Sequence, residues 1–226
     1  MMIGILAVQG AFAEHGSMLD SLGVDSFEIR AARDLGERMD GMIIPGGEST
    51  VMGKILDDQG MTGTIREMIG GGLPVFGTCA GLILLSESVQ GGRPCIGTMP
   101  IQAVRNAYGR QLGSFSAQSH FGGQGPIPME FIRAPAISRT APEVEVLAEV
   151  GGRPVAARYG RQMVTAFHPE LTDDTSVHRF FLESVVGGVP GAHQPTVCER
   201  CRTLSPLSDI LRTCPSVAEH KGYYPR

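Results

Sequence analysis

The chain has 226 residues, and its 19 lysines and arginines against 23 aspartates and glutamates give a net charge of −4. This length predicts one large domain or two small ones, and the weak acidity argues against nucleic acid or an anionic membrane as a partner. A hydrophobic content of 42% excludes wholesale disorder, and the 31 glycines follow no Gly-X-Y period, so they are expected in turns and at tight backbone sites.

The first ninety residues alternate short apolar runs with helical patterns. Strands are predicted at 3–8, 26–30, 41–44 and 73–76, and helices at 13–22, near 50–57, at 63–69 and at 80–89. The first apolar run is continuous, as in a strand buried on both faces, and Gly23 stands where a helix usually ends. Strands that alternate with helices through short glycine-rich turns predict a mostly parallel α/β sheet with helices on both faces.

The second half changes this rhythm. The segments 144–150 and 153–159 flank Gly151-Gly152, which is a strong hairpin signal. One more strand is predicted at 162–167 and a final amphipathic helix at 177–186. The expected fold is therefore a three-layer α/β domain over residues 1–189, whose mostly parallel sheet carries an antiparallel extension.

The cysteines and the N-terminal segment bear on the compartment. Of the five cysteines, only Cys79 and Cys95 lie in the first 197 residues, too few for a disulfide framework. The start of the chain lacks the basic region and length of a signal peptide, and no apolar run approaches the ~18 residues of a membrane span. A cytoplasmic protein is expected.

Residues 190–226 differ in composition, being polar and interrupted by prolines. They contain Cys198, Cys201, Cys214 and His220, whose spacing could suit zinc. A segment with so little apolar content would depend on that single cluster to fold. A disordered extension without metal is therefore predicted, with a zinc site or a shifted reading frame as alternatives.

A possible nucleophile lies between a predicted strand and a predicted helix. Cys79 is the centre of Gly77-Thr78-Cys79-Ala80-Gly81, the thiol form of the nucleophile elbow. The two glycines leave room where strand and helix cross, and the helix N-terminus offers the Ala80 N–H to a developing oxyanion. The alternative is an ordinary buried cysteine in a glycine-rich turn.

The tripeptide His168-Pro169-Glu170 follows the last predicted strand. A thiol nucleophile needs a base, and the base needs an acceptor that orients it. In an extended segment, residues i and i+2 point to the same side, so Glu170 is expected to reach His168. The alternative is a surface turn that contains a histidine and a glutamate by chance.

A third glycine-rich turn, Pro45-Gly46-Gly47-Glu48-Ser49-Thr50, also follows a buried strand. Its glycines allow backbone amides to approach a ligand and to complete an oxyanion hole opposite Ala80. Ser49 or Thr50 could equally cap the next helix. No Walker A pattern is present and no GxGxxG follows a strand, so nucleotide binding is not indicated.

Six segments together resemble a known family. They are AVQGA (7–11) with Glu14-His15 after it, PGGEST (45–50), FGTCAGL (76–82), RNAYGRQ (105–111), FIRAP (131–135) and FHPELTDD (167–174). In this order they are similar to the glutaminase subunits of pyridoxal 5′-phosphate synthases, which are class I glutamine amidotransferases with a flavodoxin-like fold. The resemblance runs from residue 3 to about residue 186, and the extension after it departs from the family.

The resemblance implies a role for individual residues. Cys79 would be the nucleophile, His168 the base and Glu170 its orienting partner. The turn at Gly46, Gly47, Glu48 and Ser49, together with Arg105, Ile132 and Arg133, would bind glutamine. Gln9 and Gly10, with Ala80, would help to build the oxyanion hole and sense a synthase partner.

The expected activity is hydrolysis of L-glutamine to glutamate and ammonia, with the ammonia channelled to a synthase subunit that makes pyridoxal 5′-phosphate. No cofactor or metal is expected, because thiol, imidazole and oxyanion hole suffice. The alternatives are a glutaminase serving another synthase, an elbow-cysteine hydrolase of the protease or deglycase kind, and a silent subunit that only senses glutamine.

Overall fold

A computed structural model describes residues 1–107 and 113–187. The predicted extension at 190–226, with Cys198, Cys201, Cys214 and His220, lies outside the described residues, as does the predicted boundary at residue 189. Of the segment 105–111, only the first three residues are described.

The main sheet has seven strands, and five neighbouring strands run parallel. Their bounds are β1 Met2–Leu6, β2 Asp25–Ile29, β3 Gly41–Ile44, β4 Val75–Thr78 and β12 Gln162–Thr165, and the hairpin β10 Glu145–Val150 and β11 Arg153–Tyr159 adds two antiparallel strands beyond β12. The order is β10-β11-β12-β4-β3-β1-β2. The predicted mostly parallel sheet with an antiparallel extension is confirmed.

The apolar runs explain the centre of this sheet. All residues of β3, β4 and β12 are buried, as are four of the five in β1. Strands covered on both faces have no solvent side, so β1 and β3 are continuously apolar rather than alternating. The polar residues buried in β4 and β12 are hydrogen-bonded: Thr78 to His15, Gln162 to Thr98 and Thr165 to the Phe167 carbonyl.

The helices follow the strands as a crossover topology requires. They are α1 Phe12–Ser21, α2 Ser49–Asp58, α3 Met61–Gly70, α4 Ala80–Leu85 and α5 Ser176–Phe180; a π-helical turn, Phe181–Val186, continues α5, and short 3₁₀ turns occupy Ala32–Gly36 and Pro169–Leu171. In α3 the buried residues are Met61, Ile65 and Ile69, spaced four apart. That spacing places them on one helical face, which packs into the core.

The predicted helix at 80–89 is wrong beyond Leu85. The chain leaves α4 there and forms strand β5, Ser86–Gln90, which pairs with β6, Met99–Val104. The Ser86 hydroxyl donates to the Leu82 carbonyl at 2.7 Å. Ser86 and Val89 are buried in β5, and pairing with β6 outweighs the local helical pattern.

Five strands were not predicted. Besides β5 and β6 they are β7 Ser114–His120, β8 Pro126–Ile132 and β9 Ala136–Thr140. Strands β7 and β8 form a two-stranded antiparallel sheet, and β9 joins β5 and β6 in a three-stranded one. The final helix also differs from the prediction, because its second half is π-helical.

The parallel strands bring their carboxyl ends to one edge of the sheet. The segments that follow β1, β3, β4 and β12 begin at Ala7, Pro45, Cys79 and Ala166. Each of the three predicted motifs lies in one of these segments, and the loop with Gln9 and Gly10 lies in the fourth. Ligands of open α/β sheets bind at this edge.

The crossing of α4 over β3 leads to the first prediction. A Cβ on Gly81 would overlap the carbonyl oxygen of Ile44, which is backbone and does not yield easily. Gly81→Ala is expected to lower the free energy of unfolding by about 1–3 kcal/mol. Gly63 of α3 has open space, so Gly63→Ala is the matched control and should stabilise by about 0.5–1 kcal/mol. Urea denaturation of both variants measures the difference, and equal stability would contradict this packing.

Candidate active site

Cys79 occupies a strained position between β4 and α4. Its φ is +47° and ψ is −94°, and its N–H donates to the Thr165 carbonyl of β12 at 2.8 Å. A non-glycine residue in this region costs about 1–3 kcal/mol and persists only where the surrounding structure holds it. The elbow expected from the sequence is therefore present, and its backbone is strained.

Strain is concentrated around this cysteine. Among the described residues, the non-glycine residues with positive φ are Cys79, Asn106 and Arg133. All three line one cavity of about 490 Å³ at the carboxyl edge of the sheet. Backbone strain of this kind clusters at functional sites. Asn106 was not singled out by sequence reasoning, although it belongs to the segment 105–111 that carries the resemblance.

The cavity brings together all but one of the predicted site residues. Its lining includes Gln9, Gly10, Gly46, Gly47, Glu48, Ser49, Cys79, Ala80, Arg105, Ile132, Arg133 and His168. Glu170 is buried behind His168. A larger depression of about 730 Å³ lies at the amino ends of the strands, but among the described residues no cysteine or histidine lines it.

His168 and Glu170 form the expected pair, by a different backbone path. His168 Nδ1 lies 2.8 Å from Glu170 Oε1. The segment is not extended, because Pro169–Leu171 forms a 3₁₀ turn that begins just after His168. The His168 N–H donates to the Glu130 carbonyl of β8 at 2.8 Å, which fixes the start of the turn. With Nδ1 bonded to Glu170, Nε2 is the nitrogen that remains for the thiol.

Burial and hydrogen bonding act on this pair in opposite directions. Burial lowers the pKa of His168, but hydrogen bonds and charge interactions with Cys79 and Glu170 outweigh it and raise the pKa to about 10. Burial raises the pKa of Glu170, but His15 and His168 outweigh it and lower the pKa below its usual value. The pair therefore favours a carboxylate facing an imidazolium.

Gly46 packs against both Cys79 and the His168 ring. A Cβ there would overlap the His168 ring and lie 3.4 Å from Cys79 Cβ. Its carbonyl oxygen accepts a hydrogen bond from the Ala11 N–H at 3.0 Å. The turn after β3 is thus fastened to the loop after β1. Any residue larger than glycine at 46 would push His168 away from Cys79.

Charged side chains gather at the mouth of the cavity around Glu48. Its carboxylate accepts from Arg105 Nη2 at 3.1 Å and lies 3.5 Å from Arg133 Nη2. The Glu48 N–H donates to Gln9 Oε1 at 2.8 Å. The side chain of Ile132 is 42% exposed, whereas its carbonyl lies 4.0 Å from Cys79 Sγ. A carboxylate and two guanidinium groups thus lie together at the mouth, where the charged groups of a bound zwitterion could pair with them instead.

Sequence reasoning gave no role to two buried histidines behind the pair, although His15 belongs to the residues that carry the resemblance. His15 of α1 and His178 of α5 are fully buried, and His15 Nδ1 lies 2.8 Å from His178 Nε2. His15 Nε2 lies 3.2 Å from Thr78 Oγ1 and 3.5 Å from Glu170 Oε2. The available signal was the position of His15 on the apolar face of α1, one turn before the buried Met18 and Leu19.

Within residues 1–107 and 113–187, no group of three or more histidines, cysteines and acids could hold a metal ion. The same residues contain no helix long and apolar enough to span a membrane.

Comparison with known proteins gives sequence relatives over most of the chain. A protein from Methanocorpusculum labreanum called pyridoxal 5′-phosphate synthase subunit PdxT is 59% identical over 187 residues, which cover 83% of this chain and 99% of that protein. A Streptococcus pneumoniae protein of the same name is 54% identical, covering 81% of this chain and 96% of its own.

Solved structures agree with the sequence relatives. A crystal structure described as a glutamine amidotransferase superposes with a TM-score of 0.78 at 41% identity, covering 82% of this chain and 98% of that one. A putative GMP synthase subunit from Thermoplasma acidophilum, 16% identical with a TM-score of 0.57, shares the fold. The model of the SNO glutamine amidotransferase family matches residues 5–187. The chain belongs to the SNO glutamine amidotransferase family.

Proposed function

We propose that this chain hydrolyses L-glutamine to glutamate and ammonia and passes the ammonia to the synthase subunit of a pyridoxal 5′-phosphate synthase. The observation that carries the proposal is the arrangement of Cys79, His168 and Glu170 at one cavity, in a chain 54–59% identical to proteins named as subunits of that synthase. Strain at the nucleophile and a shifted imidazole pKa are the features that a covalent hydrolase needs.

The first half of the reaction forms a thioester. The Cys79 thiolate attacks the side-chain amide carbon of glutamine, and the carbonyl oxygen becomes an oxyanion. His168 Nε2–H gives its proton to the departing nitrogen, the C–N bond breaks and ammonia leaves. The raised pKa of His168 keeps that proton in place at neutral pH, and the 2.8 Å bond from Nδ1 to Glu170 stabilises the imidazolium.

The second half restores the enzyme. His168, now neutral, takes a proton from water, and the hydroxide attacks the thioester carbon. The C–S bond breaks, which regenerates the Cys79 thiolate and the imidazolium. The γ-carboxylic acid of the product loses its proton to solvent, and glutamate leaves. Neither half-reaction uses a redox partner or a metal. The same imidazole thus acts as acid in the first half and as base in the second.

Glu48, Arg105 and Arg133 suit the amino-acid end of the substrate. Without a ligand the two guanidinium groups face the Glu48 carboxylate. A bound amino acid would offer an α-carboxylate to the arginines and an α-ammonium to Glu48, so each charge exchanges one partner for another. Glu48 is followed directly by Ser49, a buried residue at the start of α2.

The oxyanion donors proposed are the Ala80 N–H and the backbone at Gly46 and Gly47. Two hydrogen bonds connect the loop of Gln9 and Gly10 to these donors. Gln9 Oε1 accepts from the Glu48 N–H, and the Ala11 N–H of the same loop donates to the Gly46 carbonyl. A synthase subunit that touches this loop would therefore move the oxyanion donors. On this account hydrolysis is fastest in the complex.

The first test separates hydrolysis from synthesis. Cys79→Ala, assembled with the synthase subunit, is expected to abolish glutamine-dependent formation of pyridoxal 5′-phosphate, because no thioester forms. Added ammonium should still support synthesis at the wild-type rate. Loss of the ammonium-dependent reaction as well would contradict the division of labour. Cys95→Ala is the matched control, because Cys95 does not line the cavity, and should retain both reactions.

The second test uses the pKa of His168. This pKa is about 10 in the folded chain and about 6.5 in the unfolded one, so between these values the folded state holds one proton more. Its contribution to stability is complete below pH 6.5 and is lost as the pH rises through about 10, by at most about 1.4 kcal/mol per pH unit. His168→Asn keeps a donor for Glu170 but does not titrate.

Urea denaturation of wild type and His168→Asn at pH 6.5, 8 and 10 checks this expectation. The stability advantage of the wild type over the variant should shrink as the pH rises. A constant or growing difference would show that His168 is not held as an imidazolium.

The third test concerns the loop after β1. Gly10 has φ +102°, and a Cβ there would overlap the Gly46 carbonyl oxygen. Gly10→Ala is expected to lower glutaminase activity of the complex at least tenfold, since the turn that faces His168 must move. Gly23 has φ +68° with open space around it, so Gly23→Ala carries a similar backbone cost without the overlap. Equal activity of the two variants would refute the link between loop and turn.

A further inference from the structure

His15 and His178 are buried titratable groups that the proposed reaction does not use. We propose that His15 is a positioning residue that holds the second carboxylate oxygen of Glu170, and that His178 fixes the His15 tautomer required for this. The inference rests on the proposed glutaminase activity and extends it by one step behind the triad.

Within the triad, only one of the two Glu170 carboxylate oxygens has a hydrogen-bond partner. Oε1 bonds to His168 at 2.8 Å, whereas Oε2 is buried and makes no hydrogen bond of standard geometry among the described residues. The nitrogen that faces Oε2 is His15 Nε2, at 3.5 Å. Leaving a buried carboxylate oxygen without a donor is costly, so a donor at this place has a structural purpose. Catalytic hydrogen bonds are often long in unliganded enzymes and tighten when substrate binds.

The contact between the two histidines decides the tautomer. One of His15 Nδ1 and His178 Nε2 must donate across their 2.8 Å separation. If His15 Nδ1 donated, its Nε2 would direct a lone pair at the Glu170 carboxylate, and the His178 Nδ1–H would be buried without an acceptor. If His178 Nε2 donates, His15 Nε2 carries the hydrogen, donates it to Thr78 Oγ1 at 3.2 Å and turns it toward Glu170 Oε2 at 3.5 Å. This arrangement places no lone pair against the carboxylate, and it leaves His178 Nδ1 as an unpaired acceptor rather than an unpaired donor.

The surroundings keep these imidazoles neutral, as the tautomer argument requires. Burial lowers the pKa of His15, although the Glu170 carboxylate and the nearby Glu14 oppose it and His168 adds to it. Burial, with His15 beside it, lowers the pKa of His178 well below its usual value. Phe76 packs edge-on against both rings at 5.7–6.0 Å and excludes other partners on that side.

His15 lies where three parts of the site meet. Through Nε2, His15 faces Thr78, the residue directly before the nucleophile, and Glu170, the last member of the triad. Its backbone N–H donates to the Ala11 carbonyl at 3.4 Å, one turn from the loop that holds Gly46. One side chain thus connects the nucleophile strand, the 3₁₀ turn and the helix that follows the loop.

The experiment compares two conservative variants in the complex with the synthase subunit. His15→Gln places an amide nitrogen near the position of Nε2 and retains a donor for Glu170. His15→Asn places its amide near Nδ1, within reach of His178 but short of Glu170. We expect His15→Asn to lower kcat for glutamine hydrolysis about 10- to 100-fold, the size of effect seen when the outer partner of a metal-bound histidine or carboxylate is removed. KM should change less than twofold, and His15→Gln should retain kcat within about fivefold.

The pH profile separates positioning from a general loss of structure. Without a donor on Oε2, Glu170 protonates at higher pH, so the acid limb of kcat should move to higher pH in His15→Asn and stay in place in His15→Gln. Should His15→Asn not assemble with the synthase, the same comparison is made with His178→Gln and His178→Asn, which touch His15 but not Glu170. The Asn variant is then expected to show the loss and the shift.

Indistinguishable kcat values and acid limbs for the Gln and Asn variants would overturn the inference. That outcome differs from failure of the proposed function, in which the wild-type complex would not hydrolyse glutamine at all.

Discussion

The close approach of backbone segments at the carboxyl ends of the parallel strands governs this site. β3, β4 and β12 lie side by side, so the turns after them meet at one place. Gly46 lies against both Cys79 and His168, and Gly81 lets α4 pass over the end of β3. These contacts leave no room for side chains. The nucleophile, the base and the turn that faces them are therefore set by strand packing rather than by flexible loops, which is how a reactive geometry is held to a fraction of an ångström.

Burial divides the charged residues of the site into two groups with different tasks. His168 and Glu170 are buried, where their mutual interaction is strong enough to shift the pKa of both groups. Glu48, Arg105 and Arg133 are at least partly exposed and can exchange partners with a ligand at little cost. The chemistry thus takes place in the buried group, whereas recognition of an amino acid falls to the group in contact with water. Gln9 and Gly10 connect the two through the turn after β3.

The sequence was informative where a single local pattern of residues determines the local structure. The elbow at Cys79 and the buried parallel strands depend on glycine spacing and apolar runs, and both were predicted. Strand β5 was missed because its residues pair with β6 residues 13 or 14 positions further along the chain, and no local sequence pattern indicates that pairing. His168 and Glu170 were expected to meet through an extended segment, but a 3₁₀ turn joins them. His15 and His178 are separated by 163 positions, so only the fold brings their rings together.

In the proposed reaction, ammonia made at Cys79 becomes the nitrogen of the synthase product. The most direct measurement supplies the complex with glutamine labelled with ¹⁵N in its side-chain amide, in the presence of excess unlabelled ammonium, and determines the isotope in the pyridoxal 5′-phosphate by mass spectrometry. Channelled ammonia gives mostly ¹⁵N product with the wild-type chain and unlabelled product with Cys79→Ala. Product whose label matches the free ammonium pool with the wild-type chain would contradict channelling.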